Sequence, residues 1–586
     1  MIPAAGPAGR SAEADRSERL AALAAFLLFL ALALWGARYH WVEQAGTAER
    51  DGYVRQAEQL RAGELPRDPY RPLLYPLATA AVSVATRDPF TAARLISNLA
   101  AATLAWLAFA FGKRLAGPAA GGWAMALAAV NPNLWILGQH VTTDMLFAAL
   151  GAAAMLAGLT YLDRPGPAPA LAAGLALGLA AFTRSNALFL APPLLGAWWA
   201  ARPSRGRRAA HLAGGAALSL AVLLPHWALR RAAFGDPFHD ENWKNLAWKL
   251  HGYPDWSYLD RVPYHGLGEL LRADAAAVLR GGWSELVRFA EAGLPQLLGT
   301  WPHVLLFLAG AAWALRRPAP ARPVGRPPDS ALRVPAHLAG GAAAAPNAAS
   351  PASAPSAGSP RAAAWLLASC AFFIAAVAFT FFTWGRLLLL VLAPAAAFSG
   401  VLPGLAARGG PALRRRAWTA LGLAAVLLLA VKTFAFRLPA AIREHPYAEI
   451  AALRRLDAEL PGSALAGTSP FLGRYLRHRY VDLPDAFGAE IRDPRLYYRQ
   501  LANLVQREKI AFLVIGAIDL RARPRALLGP APPVDWLRPA SEGQALQAPL
   551  AGAKSPRIAV WRVITTADAA ELANGKRDGM RGGRRD

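Results

Sequence analysis

Five residues early in the chain are equipped, by side-chain type and separation, for proton transfer and anion binding. Glu49, Asp51, Tyr53, Arg55 and Ala57 fall within one short polar stretch, directly after the first apolar run. A carboxylate at the outer edge of hydrocarbon is partly desolvated. That raises its pKa and suits it to accept a proton from a hydroxyl. Tyr53, Ala57 and Leu60, with Glu64 beyond, recur at the period of an amphipathic helix on a membrane surface. The run Gly63-Glu64-Leu65-Pro66-Arg67-Asp68-Pro69-Tyr70-Arg71-Pro72, then Tyr75-Pro76, breaks that helix and returns the chain to the bilayer. Arg71 and Tyr75 in it are candidate contacts for a phosphate or a sugar.

Further candidates lie later in the chain. His140 and Asp144 are four apart where an apolar run begins at Thr142-Thr-Asp-Met-Leu-Phe147. They are either a helix-face pair or part of an acceptor site. As metal ligands they lack a third partner in the sequence. Arg184 closes Gly178-Leu-Ala-Ala-Phe-Thr-Arg184, and Arg386 precedes an apolar run containing Pro394. Each also has an ordinary reading. Glu49 and Asp51 could be solvated residues of a surface helix. Arg184 could be a snorkelling anchor, and Arg386 with Trp384 an interface pair. Trp243, Trp248, Trp256 and Tyr258 could stack on sugar rings or form an interfacial aromatic belt.

Membrane helices are the scaffold on which these residues must be held. The 586 residues are 55% apolar and only 17% charged, where soluble domains carry about 25% charge. Uncharged runs such as Ala21–Trp35 and Leu387–Leu405 are long enough to cross lipid. A fibre, a disordered chain and a small secreted scaffold are excluded. The fold class is a polytopic α-helical membrane protein of about eleven spans: Leu20–Ala37, Thr91–Phe111, Ala119–Leu137, Thr142–Tyr161, Ala168–Phe182, Ala187–Ala201, Ala209–Leu229, Leu294–Leu315, Ala362–Phe382, Leu387–Leu405 and Ala417–Phe436. The net charge of +25 would suggest nucleic acid in a soluble protein. Here the basic residues gather in short loops on one side (Lys113-Arg114, Arg202–Arg208, Arg316–Arg333, Arg414–Arg416), as the positive-inside rule expects. No nucleic-acid partner is expected. The single Cys370 lies in an apolar run and offers neither a disulfide nor a thiolate cluster.

With residues 1–19 cytosolic and the first span a retained signal anchor, the helical module runs over 20–436. Its outer loops are 38–90 and 230–293, and 316–360, rich in Ala, Pro, Gly and Ser, is a disordered cytosolic linker. Residues 437–566 read as a small extracytoplasmic α/β domain. Helical spacing over Tyr447–Leu460 and Tyr498–Val505 alternates with strand candidates at Ala511–Ile515 and Ile558–Val563. The basic tail 567–586 is expected to be disordered.

An acidic residue shortly before Tyr-x-x-x-Ala, then a Gly and a Pro-rich return just after the first span, resembles the GT-C membrane glycosyltransferases. The resemblance is to the bacterial family 39 and protein O-mannosyltransferase-like members, including the aminoarabinose transferases of lipid A. The stretches at Thr142–Phe147, Gly178–Arg184 and Arg386 resemble that family's later motifs. Coverage extends over most of Leu20–Leu405. The resemblance implies inverting transfer of a sugar from a polyprenyl-phosphate donor to a lipid, glycan or protein acceptor on the outer face of a bacterial-type inner membrane. It implies that a first-loop carboxylate, Asp51 or in its place Glu49, is the base, and that Tyr53, Arg55, Arg71, Tyr75, His140, Asp144, Arg184 and Arg386 bind substrate. No cofactor motif is present, and a divalent metal is left undecided. The competing readings are a lipid or glycan transporter or flippase, and a non-catalytic envelope assembly protein. A transporter predicts repeated hydropathy and spans broken at mid-bilayer; the halves of this chain differ in loop size.

Overall fold

The computed structural model describes residues 7–39, 52–66, 71–201, 203–239, 243–251, 264–317, 359–380, 385–407, 412–443, 464–467, 480–482, 494–516, 537–539 and 558–563. Glu49, Asp51, Trp256, Tyr258, Trp384, the helix expected over 447–460, nearly all of the 316–360 linker and the 567–586 tail lie outside the described residues.

From the N-terminus, α1 (Pro7–Tyr39) is followed by α2 (Tyr53–Arg61), α3 (Leu74–Thr86), α4 (Pro89–Ala116) and α5 (Pro118–Ala129). The short α6 (Pro132–Gly138) leads to α7 (Asp144–Asp163) and α8 (Pro167–Thr183). A 3-10 turn over Ser185–Leu190 enters α9 (Ala191–Ala200), and α10 (Arg205–Phe234) and α11 (Trp243–His251) come next. Then α12 (Leu267–Arg288) passes through a π turn into α13 (Leu294–Leu298), and α14 (Trp301–Arg316) comes after the bend. Beyond the linker lie α15 (Pro360–Thr380), a 3-10 turn over Gly385–Val391, α16 (Leu392–Ala406), α17 (Ala412–Val431) and α18 (Leu438–Arg443). Among the described residues seven helices are long and apolar enough to cross a membrane, or eight when the bent pair α12–α14 is one span. The chain is a multi-pass membrane protein.

The difference from eleven equal spans has local causes. Ala119–Leu137 is divided between α5 and α6 by Asn131-Pro132, and Ala187–Ala201 between a 3-10 turn and α9. In place of one span over Leu294–Leu315, the helix that starts at Leu267 bends by 105° before Trp301. Gly299 takes φ +90° there, a conformation open to glycine. Part of the expected outer loop 230–293 is therefore helix α12, and part of loop 38–90 is α3.

A broken helix in lipid exposes carbonyls that must find donors. Asn131 Nδ2 donates to Leu297 O at 2.9 Å, and Lys432 Nζ to Gly299 O at 2.5 Å. His303 Nδ1 donates to Leu298 O at 2.7 Å, and Thr433 Oγ1 to Val130 O at 2.7 Å. Lys432 and Thr433, directly after α17, thus serve one break each, and Asn131 joins the two.

Small residues set the packing elsewhere. α16 is buried throughout, and a Cβ at Gly400 or Gly404 would overlap the backbone of Ala120 in α5. Gly310 of α14 lies equally close to the Phe398 carbonyl, and Gly174 of α8 to Gly215 of α10. In lipid, where burial of apolar surface gives little gain, such backbone approach is the main source of helix association.

At the C-terminal end, β1 (Ala464–Gly467), β2 (Tyr480–Asp482), β3 (Ile510–Gly516), β4 (Leu537–Pro539) and β5 (Ile558–Val563) form one sheet in the order β2-β1-β3-β5-β4. The pairs β1–β2 and β1–β3 are parallel; β3–β5 and β4–β5 are antiparallel. Helix α19 (Pro494–Glu508) packs Tyr497, Leu501, Leu504 and Val505 against Leu513 and Trp561.

Candidate functional site

The site is built around the start of α7. Asp144 is the first residue of that helix, where the backbone N–H groups lack partners and the helix dipole favours an anion. Its side chain is 1% exposed. Thr142 Oγ1 donates to Asp144 Oδ2 at 2.9 Å. Arg184 Nη1 donates to Asp144 Oδ1 at 2.5 Å and to Thr143 Oγ1 at 3.3 Å. Arg386 Nη1 stands 3.9 Å from Asp144 Oδ2.

A helix boundary positions each arginine. α8 ends at Thr183, and Arg184 is extended (φ −155°, ψ 131°) while its N–H still bonds Ala180 O at 2.8 Å. The chain thus turns outward with the guanidinium toward α7. Arg386 sits at the opening of the 3-10 turn that leads into α16. Both side chains are about one-fifth exposed (23% and 21%), so one edge of each still reaches the surrounding space.

A second layer comes from the first loop. Gly52 has φ +69° at the N-cap of α2, so the chain turns sharply as it enters Tyr53. The Tyr53 hydroxyl lies 3.3 Å from Thr143 Oγ1, its ring meets Tyr75 edge-on at 5.4 Å, and the Arg71 guanidinium stands 5.9 Å from its ring centroid. Such a cation–aromatic contact is worth about 0.5–1 kcal/mol at a partly exposed place. Tyr75 is fully buried. Its hydroxyl donates to Ala93 O at 2.9 Å and lies 3.0 Å from Ser97 Oγ, which donates to the His140 carbonyl at 2.8 Å. α4 is thereby tied to the turn before α7.

Six sequence candidates converge here: Tyr53, Arg71, Tyr75, Asp144, Arg184 and Arg386. Two differ from expectation. His140 and Asp144 do not share a helix face, because α7 starts only at Asp144 and His140 lies in the preceding turn; the contact seen is through the His140 backbone. Arg55 is exposed, on the side of α2 away from the buried Tyr53 and Ala57, because two helical residues differ by about 200° in direction. Sequence reasoning gave no role to Thr143 or Ser97, which join the layers. The Thr-Thr-Asp ahead of an apolar run was the available signal for the first; none pointed to Ser97. Two guanidinium groups, of Arg184 and Arg386, reach the Asp144 carboxylate, and a third, of Arg71, stands over the ring of Tyr53, whose hydroxyl reaches Thr143. No group of three or more His, Cys, Asp or Glu side chains able to hold a metal is found among the described residues.

Arginines gathered about one buried carboxylate, at the ends of membrane helices, suit a ligand whose negative charge sits at the bilayer surface. Residues 70–228 match the family of dolichyl-phosphate-mannose-protein mannosyltransferases, a segment that contains Arg71, Tyr75, Asp144 and Arg184. The chain shares its fold with ArnT from Cupriavidus metallidurans, solved bound to undecaprenyl phosphate. The TM-score is 0.54 at 13% identity, over 92% of this chain and 98% of that one. The Archaeoglobus fulgidus oligosaccharyltransferase in its apo form aligns with a TM-score of 0.48 at 12% identity, over 85% and 69% of the two chains. No curated protein matches by sequence. The likeness to the ArnT structure is one of fold, the fold that the resemblance to GT-C membrane glycosyltransferases implied, and the family match covers the segment 70–228 within it.

Proposed function

We propose that this protein transfers a sugar from a polyprenyl-phosphate donor to an acceptor hydroxyl on the extracytoplasmic face of a bacterial-type inner membrane, with inversion. The observation that carries the reading is the convergence of Asp144, Arg184, Arg386, Tyr53 and Arg71 from five separate stretches of sequence. In the reaction, Asp51 takes the proton of the acceptor hydroxyl as its oxygen attacks the anomeric carbon. The bond from that carbon to the phosphate oxygen breaks, and the lipid phosphate leaves with the bonding pair. Arg184, Arg386 and Arg71 meet the charge that develops on it. Asp144 orients the first two guanidinium groups rather than acting on a proton. Asp51 is favoured over Glu49 because it directly precedes the Gly52 turn into Tyr53, whose hydroxyl reaches the Thr143 shared with Arg184.

The proposed topology rests on charge. Lys113 pairs with Glu18 at 2.6 Å and Arg114 with Asp163 at 3.7 Å, so the start of α1 and the ends of α4 and α7 share one side. That side is basic and cytosolic; the Asp144 cluster, at the other end of α7, is extracytoplasmic. The basic run Arg414–Arg416 marks the start of α17 as cytosolic, so the C-terminal sheet, reached after α17 and α18, lies on the outer side and serves as an extracytoplasmic domain.

The test is release of free polyprenyl phosphate from a polyprenyl-phosphate sugar by purified protein in liposomes, with lipid co-purifying from cells identified by mass spectrometry. Asp51→Asn is expected to abolish release and Glu49→Gln to retain it. Turnover untouched by both changes overturns the assignment of the base.

A further inference from the structure

A second polar place lies at the opposite end of α7 from Asp144, where α7, α9 and α10 meet. Tyr161 of α7 is fully buried, and its hydroxyl lies 3.1 Å from Nδ1 of His211 in α10. Its ring meets Trp198 of α9 edge-on at 6.2 Å and His211 edge-on at 5.7 Å. Gly215 of α10 makes room for the indole: a Cβ there would come 3.1 Å from Trp198 Cζ2. Arg208 precedes His211 by three residues and so shares its side of α10. Its guanidinium stands 5.1 Å from the ring centroid of Trp199.

Two donors around this Tyr–His pair lack an acceptor among the described residues. Trp198 is 5% exposed, and its Nε1 is buried without a hydrogen-bond partner; so is the Nε of Arg208. A buried N–H without an acceptor is costly, and folded proteins seldom keep one. An ordinary interfacial tryptophan holds its N–H at the wet edge of the membrane. Trp199, 75% exposed, fits that description and Trp198 does not. A Tyr161 hydroxyl that donates to Nδ1 leaves the His211 proton on Nε2, which supplies a third donor.

The charge around these donors is one-sided. Arg205, Arg207 and Arg208 occupy the first turn of α10, which holds no acidic residue and has no side-chain cap. Cations at that end oppose the helix dipole, and the first backbone N–H groups there lack partners. Asp163, two residues past Tyr161, pairs with Arg114 at 3.7 Å, and among the described residues none of the three arginines of α10 is ion-paired. An anion answers all of these at once. We propose that this place binds the negatively charged phosphate of a phospholipid headgroup, with Trp198 Nε1, the Arg208 guanidinium and His211 Nε2 as its donors. Basic pockets between helices on the cytoplasmic side suit such headgroups. The assignment to the cytosolic leaflet rests on the topology proposed above; the binding does not.

The test uses the full-length protein, delipidated in detergent, with phosphatidylglycerol, phosphatidylcholine of the same acyl chains, or inorganic phosphate added. Native mass spectrometry counts tightly bound lipid, and thermal unfolding reads protection. Phosphatidylglycerol is expected to fill one tight site and to raise Tm, while phosphatidylcholine, which has no net charge, and inorganic phosphate do neither. Arg208→Gln is expected to weaken phosphatidylglycerol binding about fivefold, the loss that one basic residue carries at an anionic surface. Trp198→Phe, which removes the indole N–H, weakens it by a similar factor. Where the buried Trp198→Phe variant does not fold, Arg208→Gln, at a half-buried position, still decides. Arg414→Gln, at the start of α17 on the same side, is the control for diffuse surface charge and leaves binding unchanged. Binding that Arg208→Gln does not alter, that Arg414→Gln lowers equally, or that phosphatidylcholine matches overturns the proposal. Protection by inorganic phosphate that disappears in Arg208→Gln keeps the donors and overturns the lipid headgroup as the source. None of these readouts uses transfer activity, so the result is independent of the donor-site reading.

Discussion

Asp144→Asn isolates the electrostatic heart of the site, because it removes one charge and almost no volume. The carboxylate is buried, bonded to Arg184 at 2.5 Å and to Thr142 at 2.9 Å, with Arg386 at 3.9 Å. Removing one partner of a fully buried ion pair costs about 3–5 kcal/mol. The two arginines are about one-fifth exposed, and Asn keeps an oxygen that still accepts from Arg184 or Thr142. Both facts bring the figure down to about 2 kcal/mol, since partly solvated pairs are screened. Lost from the transition state alone, that is a fall of about thirtyfold in kcat. The guanidinium groups keep their charge, so affinity for undecaprenyl phosphate is expected to be retained while turnover falls. The assay is paired: binding of undecaprenyl phosphate by native mass spectrometry, and release of polyprenyl phosphate in liposomes. A loss beyond about a thousandfold with an altered pH profile would point to Asp144 as a proton-transfer group, and a kcat equal to wild type would refute its orienting role. Arg184→Met in the Asp144→Asn background is expected to lower turnover further, because it removes a cation that meets the leaving phosphate as well as the contact with residue 144.

Other expectations concern the frame that holds the site. Gly404→Val drives a side chain into the backbone of Ala120 and is expected to prevent stable folding. Gly122→Ala, at a helical position with open space around it, should stabilise by about 0.5–1 kcal/mol through helix propensity; thermal unfolding in detergent reads both. Lys432→Met leaves the Gly299 carbonyl without its donor and is expected to cost about 1–3 kcal/mol, seen as a lowered Tm with the 105° bend loosened. For Lys249 the sign of the pH effect is fixed. Its pKa falls from 10.5 to about 8 on folding, so between those values the unfolded chain binds more protons and stability rises with pH. The Tm of wild type relative to Lys249→Met should therefore increase from pH 8 to pH 10, and a flat difference would contradict the burial.

Some of these features are legible in the chain and others are not. Membrane spans come from uninterrupted apolar composition, because lipid leaves a backbone few alternatives to helix; α1, α4, α7, α10 and α16 are readable on that ground. The strands at Ile510–Gly516 and Ile558–Val563 and the helix over Pro494–Glu508 are readable as periodic apolar segments. Breaks are harder. Asn131-Pro132 and Gly299 interrupt apolar runs that look continuous in hydropathy, and donors from Asn131 itself, from His303 of α14 and from Lys432 and Thr433 just after α17 satisfy the carbonyls those interruptions free.

Composition and local charge were enough to read a multi-pass membrane protein, a spacing of basic loops that the positive-inside rule would put on one side, and the side chains suited to an anion. Those properties depend on short stretches and on charge near helix ends, so a linear reading reaches them. Folding in three dimensions was needed to bring Arg184 and Arg386, about two hundred positions apart, onto one carboxylate, and to let Tyr53 reach the same turn through Thr143. It also put His140 in the turn before α7, which leaves out the helix-face pairing with Asp144 of the two readings, and tied Lys249 to the end of α15. Those outcomes hinge on where helices stop and which glycines let backbones touch, and no window of a single sequence carries the distance between two chain segments.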